Sequence, residues 1–138
     1  MSHSNNGNCS KCASIFDQYI GFNISLRNWF VDLQKRHPEA HISCAGRGMI
    51  DQEALYQRGA TKAKYGQSAH NWNSAVDLFC NIPGKLYDKS WFYVVIAPEI
   101  PQWLNWYGAP GSSFYELPHV ELRDWNDLAH RKVLKLIA

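Results

Sequence analysis

Long apolar runs are absent from this chain. The longest one, residues 91–97, is much shorter than the about 18 apolar residues that a membrane-spanning helix needs. A charge excess is absent too: 14 Lys and Arg face 12 Asp and Glu, which gives a net charge of +2. This near-neutral balance argues against a dedicated nucleic-acid-binding protein. Internal repeats and linker-like stretches are also missing, so we expect residues 1–138 to form a single domain.

A secretory signal is not visible at the N-terminus. Residues 1–6, MSHSNN, are polar, whereas a signal peptide has a basic segment followed by an apolar one. We therefore expect synthesis and initial retention in a cytoplasm. The apolar fraction of 46% excludes a disordered chain, and a chain of 138 residues is long enough to bury one core without covalent cross-links.

Four cysteines, Cys9, Cys12, Cys44 and Cys80, leave several interpretations open. An even count does not imply disulfides in a reducing compartment, and we favour the role of small buried apolar side chains. The CxxC pair Cys9 and Cys12, in the N-terminal tail 1–22, could instead be half of a structural zinc site or a redox pair. All four could also form the chain's one metal site, with the histidines incidental.

Hydrophobic periodicity predicts two helices in the first half of the chain. The first begins after Asn23 as N-cap, ends before Pro38, and has apolar residues at helical spacing. The apolar positions are Leu26, Trp29, Phe30 and Leu33. The second helix has Asp51 as its N-cap and Gly59 just after its end, with Ala54 and Leu55 facing inward.

Short strands are predicted at residues 41–45, 75–80 and 119–122. Residues 90–97 could be a helix or a buried strand, because periodicity does not distinguish them in so short a run. The polar stretch 61–74 between two of these elements indicates a long loop, and long loops often carry function.

Residues 68–77, SAHNWNSAVD, carry the strongest chemical signal. This segment places His70 in a loop and Asp77 on the following strand, and His119 lies on a later strand. Two imidazoles and one carboxylate are a suitable ligand set for Zn²⁺, with a fourth position left for water. The remaining histidines are isolated in the sequence, and we expect them to be surface or satisfied core residues. They are His3, His37, His41 and His130.

The sequence resembles a family of zinc peptidases. Residues 68–77 are similar to its signature SxHxxGxAxD, and residues 116–122, ELPHVEL, resemble a second signature with an acidic residue three positions before a zinc histidine. Residues 46–56 and 106–108 resemble the family's Gly-Tyr-Arg and Trp-Gly segments. The family includes the vancomycin-resistance D,D-dipeptidases, the D-Ala-D-Ala carboxypeptidases and the phage L-alanyl-D-glutamate endolysins.

The resemblance implies roles for individual residues. His70, Asp77 and His119 would bind the zinc ion, Glu116 would be the catalytic base, and Arg47 would polarise the scissile carbonyl. The candidates for substrate binding are Gln52, Ser68, Trp106 and Tyr107, with hydrogen bonding inside the loop as the favoured role of Ser68. Zinc with three protein ligands keeps an open position and lowers the pKa of water there to about 7.

One residue departs from the family signature, and a second acidic residue lies close to a predicted zinc ligand. Asn73 stands where the signature has glycine, which is tolerable because asparagine adopts a positive φ more readily than most residues. Glu121 lies two residues after His119 and shares its strand face, so it could be a base, a ligand or a residue that holds a ligand. The resemblance favours Glu116 as the base and leaves Glu121 to hold a ligand or the adjoining backbone.

Two further segments have a structural and a functional interpretation. Residues 124–138 predict an amphipathic helix that docks on the core, and its basic residues could instead give weak contact with an anionic outer membrane. The aromatic residues between 103 and 115 could anchor a loop or form the wall of a ligand cleft.

These observations together predict an α+β domain with a small antiparallel sheet, helices on one side and a zinc ion on the sheet face. The predicted activity is zinc-dependent cleavage of the peptidoglycan stem peptide, most readily at the L-alanyl-D-glutamate bond. The alternatives are a D,D-carboxypeptidase or dipeptidase and a non-catalytic zinc-containing module that binds peptide or glycan. We expect a monomer that binds no nucleic acid and, if it is an endolysin, accumulates in the host cytoplasm before release to the cell wall.

Overall fold

The computed structural model describes residues 2–108, 111 and 115–130. Its centre is a four-stranded antiparallel sheet in the order β1-β2-β4-β3. The strands are β1 (Ala40–Cys44), β2 (Ala75–Cys80), β3 (Leu104–Tyr107) and β4 (Glu116–Leu122). The helices are α1 (Ser10–Asp17), α2 (Ile24–Arg36), α3 (Met49–Gln57) and the short α4 (Lys89–Trp91). The predicted α+β class with an antiparallel sheet is confirmed.

Helix α2 forms as predicted. The side chain of Asn23 accepts a hydrogen bond from the backbone N–H of Leu26, which satisfies one of the free donors at the helix start. The four apolar residues at helical spacing are all buried, and Leu26 and Leu33 are completely so. Burial of this stripe against the sheet is the main source of stability for a helix of 13 residues.

Helix α3 differs from its prediction at its start. Its N-cap is Gly48, so Asp51 lies within the first turn, where a negative charge interacts favourably with the helix dipole. Ala54 is exposed, and the buried side chain of this helix is that of Gln52. Gly59 follows the end of the helix with a φ of +75°, as predicted. Hydrophobic periodicity does not predict the inward side of α3 correctly, because the residue that faces inward is polar.

Residues 90–97, for which a helix and a strand were both open, are helical. Helix α4 continues into a π-type turn (Phe92–Ile96) and a 3₁₀ turn (Ala97–Glu99). Phe92 and Ile96 are completely buried in the core. The run is helical, and Phe92 and Ile96 are the side chains that it contributes to the core.

One face of the sheet carries the core and the opposite face carries the polar site. Val76 and Leu78 of β2, with Val120 of β4, belong to a cluster that includes buried residues of α1 and α2. Asp77 and His119 alternate with these residues and therefore point to the other face. Helices α1 and α2 thus cover one face, and the other face carries the site.

The N- and C-terminal segments are partly helical. Residues 1–22, which the sequence presents as a tail, contain α1, whose Cys12 and Phe16 are buried. Residues 125–130 are helical as predicted, whereas residues 131–138 of the predicted C-terminal helix lie outside the described residues. Within the described part, no helix has both the length and the apolar character to cross a membrane.

Candidate metal centre and active site

Strand pairing brings two of the predicted ligands together. Asp77 on β2 lies directly opposite His119 on β4, and the Nδ1 atom of His119 is 3.2 Å from Oδ1 of Asp77. His70, on a 3₁₀ turn (Ala69–Trp72) just before β2, places its Nε2 atom 3.3 Å from the same oxygen. Two imidazoles that are 49 residues apart in the sequence therefore meet on one carboxylate oxygen, with ring centroids 5.0 Å apart.

The second ring nitrogen of His70 is held by the backbone. Its Nδ1 atom lies 2.8 Å from the carbonyl oxygen of Ala45, which can only accept a hydrogen bond. This contact places a proton on Nδ1, so Nε2, which faces Asp77, is the atom left to carry either a second proton or a metal ion. The sulfur of Cys44 lies 3.8 Å from Nδ1, and one ligand atom each of Cys44, His70 and Asp77 lie within 4.8 Å of one another.

The second ring nitrogen of His119 is held by a carboxylate. Its Nε2 atom lies 2.6 Å from Oε1 of Glu121, and the Tyr107 hydroxyl donates to the other oxygen of Glu121 at 3.3 Å. A proton therefore lies on Nε2 of His119, the opposite nitrogen from His70, and Nδ1, which faces Asp77, is the atom left to carry either a second proton or a metal ion. This geometry favours the interpretation of Glu121 as a residue that holds a ligand.

The turn that carries His70 is fixed by hydrogen bonds within residues 68–74. The Ser68 hydroxyl accepts from the His70 backbone N–H, and Ser68 and Asn71 form a reciprocal capping box. Asn73 ends the turn at φ 55° and ψ 35°, the left-handed conformation predicted for this position. The loop role predicted for Ser68 is confirmed, and the residue also lines the cavity over the site.

Local electrostatics favour positive charge between these residues. Burial would raise the pKa of Asp77, but hydrogen bonds from His119 and His70 outweigh burial and hold this pKa well below its usual range. Burial would lower the pKa of His70, but the hydrogen bond with Asp77 raises it to about 10. The same balance raises the pKa of His119 to about 9. The site is therefore suited to a cation.

The two distances from the imidazole nitrogens to Asp77 fit the edges of a zinc site. With ligand bonds of about 2.0–2.1 Å in a tetrahedron, neighbouring donor atoms are separated by about 3.3–3.4 Å. The two nitrogen-to-oxygen distances at Asp77 are 3.3 and 3.2 Å. Glu116 is close as well, since ligand atoms of Asp77, Glu116 and His119 all lie within 4.8 Å of one another. These residues could hold a metal ion.

A cavity of about 560 Å³ opens above the cluster. Glu116, at the start of β4, and Arg47 line its wall together with His70 and His119. Tyr107 also lines the cavity, and its ring stacks against that of His119 with the centroids 6.0 Å apart. The two catalytic candidates, Glu116 and Arg47, thus line the same cavity.

Gln52 does not line this cavity, and the structure corrects its predicted substrate contact. The side chain is completely buried, and its Oε1 accepts hydrogen bonds from Arg47 Nη1 at 3.1 Å and from Asn71 at 3.2 Å. Its amide group donates to the carbonyl oxygen of Ala63 at 2.6 Å. Gln52 therefore positions Arg47 and the loop wall, and does not reach a ligand.

Trp106 is also placed away from the cavity, contrary to its predicted substrate contact. It faces Val120 across the sheet, on the core side, because strand residues alternate between faces. Its indole N–H donates to the carbonyl oxygen of Leu117 at 2.7 Å. A Cβ at Gly108 would lie 2.1 Å from the indole ring, so the Trp-Gly pair is a packing unit.

Several cavity residues carry no sequence signal. Thr61, Lys62 and Ala63 come from the long loop, and Trp125 comes from the C-terminal helix. The predicted functional loop at residues 61–74 includes Thr61, Lys62 and Ala63, but no residue spacing in the sequence marks these three or Trp125 as cavity residues.

Comparison with solved structures identifies the same fold. The chain is similar to the crystal structure of the Serratia marcescens L-Ala D-Glu endopeptidase ChiX, with a TM-score of 0.67 and 18% sequence identity. The alignment covers 87% of this chain and 91% of that one. No protein-family model and no curated protein sequence matches the chain. The likeness confirms the fold that the motif resemblance implies.

Proposed function

We propose that this chain is a zinc-dependent peptidase that cleaves the stem peptide of peptidoglycan, with the L-alanyl-D-glutamate bond as its preferred site. The structural neighbour is named as an L-Ala D-Glu endopeptidase, which supports this reaction class. The motifs around His70 and His119 support it independently, because they are a property of the sequence alone.

One observation carries the proposal. The facing nitrogens of His70 and His119 meet on Oδ1 of Asp77 at the floor of a cavity that also contains Glu116 and Arg47. Two neutral imidazoles and a carboxylate provide three ligands, which leaves an open coordination position, as catalytic zinc sites require.

Bound zinc would act as a Lewis acid and lower the pKa of water in the open position. Glu116 would take the proton of the attacking water, since its carboxylate lies within 4.8 Å of the ligand atoms of Asp77 and His119. It would then deliver a proton to the departing amine, because a peptide nitrogen is a poor leaving group unless it is protonated.

Arg47 would stabilise the negative charge that develops on the carbonyl oxygen. Its guanidinium group is held by Gln52, and its backbone N–H donates to the carbonyl oxygen of His70 at 3.0 Å. These two contacts fix Arg47 relative to His70 before substrate binds. Removal of one such preorganised donor typically costs about 3–4 kcal/mol in the transition state.

Digestion of purified peptidoglycan tests the proposal. Wild-type protein loaded with zinc should release fragments that carry new glutamate amino termini, identified by mass spectrometry. Glu116→Gln should retain bound zinc and lose at least about a hundredfold in rate, which is the usual contribution of a general base. Lys35→Gln, on the exposed side of helix α2, which packs on the core face of the sheet, provides a matched control and should retain the wild-type rate.

The products also separate the alternatives. Release of free D-alanine would identify a D,D-carboxypeptidase or dipeptidase. Retention of the protein on peptidoglycan with no new amino terminus would identify a binding module and contradict the peptidase proposal.

A further inference from the structure

A second group of metal-ligand side chains lies outside the candidate active site. It comprises His3, Cys9, Cys12 and His41, and one ligand atom of each lies within 4.8 Å of the others. His3 comes from the N-terminal segment, the two cysteines flank the start of α1, and His41 lies on β1. Cys9, Cys12 and His41 are buried, so this is not a chance grouping of exposed side chains.

The sulfur-to-nitrogen separations are close to the edges of a zinc tetrahedron. With Zn–S bonds of about 2.3 Å and Zn–N bonds of about 2.0–2.1 Å, sulfur and nitrogen ligands should be about 3.6 Å apart. The sulfurs of Cys9 and Cys12 lie 3.6 and 3.5 Å from Nδ1 of His3. The sulfur of Cys12 lies 3.3 Å from Nδ1 of His41, and the two Nδ1 atoms are 2.9 Å apart.

Hydrogen bonds to the other ring nitrogen prepare His41 as a ligand. Its Nε2 atom lies 2.8 Å from Oδ1 of Asn5 and 3.1 Å from the carbonyl oxygen of Pro38. The carbonyl can only accept, so the ring proton is on Nε2 and the Nδ1 lone pair faces the sulfurs. Asn5 is itself held by two hydrogen bonds with Asn81, each 2.9 Å long.

The sulfurs also have hydrogen-bond donors. The backbone N–H of Cys12 donates to the sulfur of Cys9 at 3.4 Å, within the CxxC turn. The buried amide group of Gln34 donates to the sulfur of Cys12 at 3.6 Å, and its Oε1 accepts from the backbone N–H of Cys9 at 3.0 Å. N–H donors of this kind stabilise thiolates, the form of cysteine that binds metals.

This cluster is separate from the site at Asp77. In the β1–β2 pairing His41 lies opposite Phe79, and Cys44 lies opposite Asp77, so the two clusters are about 10 Å apart along β1. Cys80 lies opposite Ala40, at the other end of the strand pair from Cys44. One metal site formed by all four cysteines is therefore wrong, because Cys44 and Cys80 do not meet.

We propose that His3, Cys9, Cys12 and His41 bind a structural zinc ion. Four protein ligands leave no open position, so the ion would have no catalytic role. It would cross-link the N-terminal segment and α1 to the edge strand β1. The site does not depend on the proposed peptidase activity, since it shares no ligand with His70, Asp77 and His119.

Metal content and cobalt spectra test this site. Wild-type protein purified with zinc should contain about two zinc ions per chain, and Cys9→Ser/Cys12→Ser should contain about one. Cys44→Ser/Cys80→Ser is the matched control and should retain about two. In this control background, cobalt substitution should give a sulfur-to-cobalt charge-transfer band, because Cys9 and Cys12 are the only remaining thiols. His119→Ala should lose the other ion and keep this band.

Three outcomes would overturn the proposal. The first is the same zinc content in wild type and in the Cys9→Ser/Cys12→Ser variant. The second is a Cys9–Cys12 disulfide in the purified protein, seen as a mass lower by two hydrogens. The third applies even if the Cys9→Ser/Cys12→Ser variant does not fold. In the Cys44→Ser/Cys80→Ser protein, an organomercurial should release zinc as it modifies Cys9 and Cys12. Modification of these thiols without release of zinc would contradict the site.

Discussion

Nε2 of His119 lies 2.6 Å from Oε1 of Glu121, two residues further along the same strand. This hydrogen bond keeps the proton on Nε2 and turns Nδ1 toward Asp77. Glu121→Ala should therefore weaken zinc binding at this site by about 10–100-fold, the usual effect of removing a carboxylate that holds a histidine ligand. Competition with a chromophoric chelator measures the affinity.

Tyr107→Phe and Glu121→Gln are the matched variants for this prediction. Tyr107→Phe removes a longer hydrogen bond, 3.3 Å, to the other oxygen of Glu121, and should have a smaller effect. Glu121→Gln keeps an acceptor for the histidine N–H and should recover part of the lost affinity. Wild-type affinity in Glu121→Ala would show that the strand alone orients His119.

Gln52→Leu should reduce kcat by about tenfold or more without changing the zinc content. The substitution removes the acceptor for Arg47 and Asn71 and the donor for Ala63. Buried polar groups left without partners cost about 1–3 kcal/mol each, so a lower melting temperature is also expected. Steady-state kinetics with metal analysis check the result.

Gln52→Glu separates positioning from stability, because it keeps the acceptor for Arg47 but loses the donor to Ala63. A higher kcat in Gln52→Glu than in Gln52→Leu would support positioning of Arg47. An unchanged kcat in Gln52→Leu would mean that Arg47 needs no support from this side chain.

The sequence predicts the elements better than the roles of single side chains. Helix α2 and the strands that carry Asp77 and His119 follow from short-range periodicity and capping residues. The motif positions of Gln52 and Trp106 predict contact with substrate. The direction of each side chain, however, depends on how helix α3 and strand β3 pack in the folded chain. The opposing faces of β4 place His119 in the site and Val120 in the core.

Contacts between distant segments are the part that periodicity does not reveal. His3 and His41 were interpreted as isolated histidines because they have no neighbouring ligand motif. The structure joins them to Cys9 and Cys12 through the packing of α1 near β1. The CxxC pattern points to Cys9 and Cys12 in the sequence. Only the fold brings His3 and His41 next to them.

Stability should depend on pH through Glu99. The hydrogen bond from Arg36 holds the pKa of Glu99 below the ordinary value of 4.5. A lowered pKa in the folded state stabilises the protein above the pKa of the unfolded state, and this contribution disappears as the pH falls through the folded value. Glu99→Gln should reduce the free energy of unfolding by up to about 1 kcal/mol at pH 7.

The difference between wild type and Glu99→Gln should shrink toward zero below about pH 4. Urea unfolding at several pH values measures it, and added salt should reduce the difference at pH 7 because the pair is partly exposed. A difference that stays constant with pH would assign the effect to packing.

The two glycines that flank Arg47 should respond differently to alanine. A Cβ at Gly46 would lie 2.3 Å from the ring of Tyr19 and 2.8 Å from Oδ1 of Asn73, so Gly46→Ala should cost about 1–3 kcal/mol of unfolding free energy. Gly48 has open space and a φ of −79°, so Gly48→Ala should stay within about 0.5 kcal/mol of wild type. Denaturant unfolding compares the two. Equal costs would mean that backbone freedom of the Gly-Arg-Gly segment matters more than room for Tyr19, because both substitutions reduce that freedom alike.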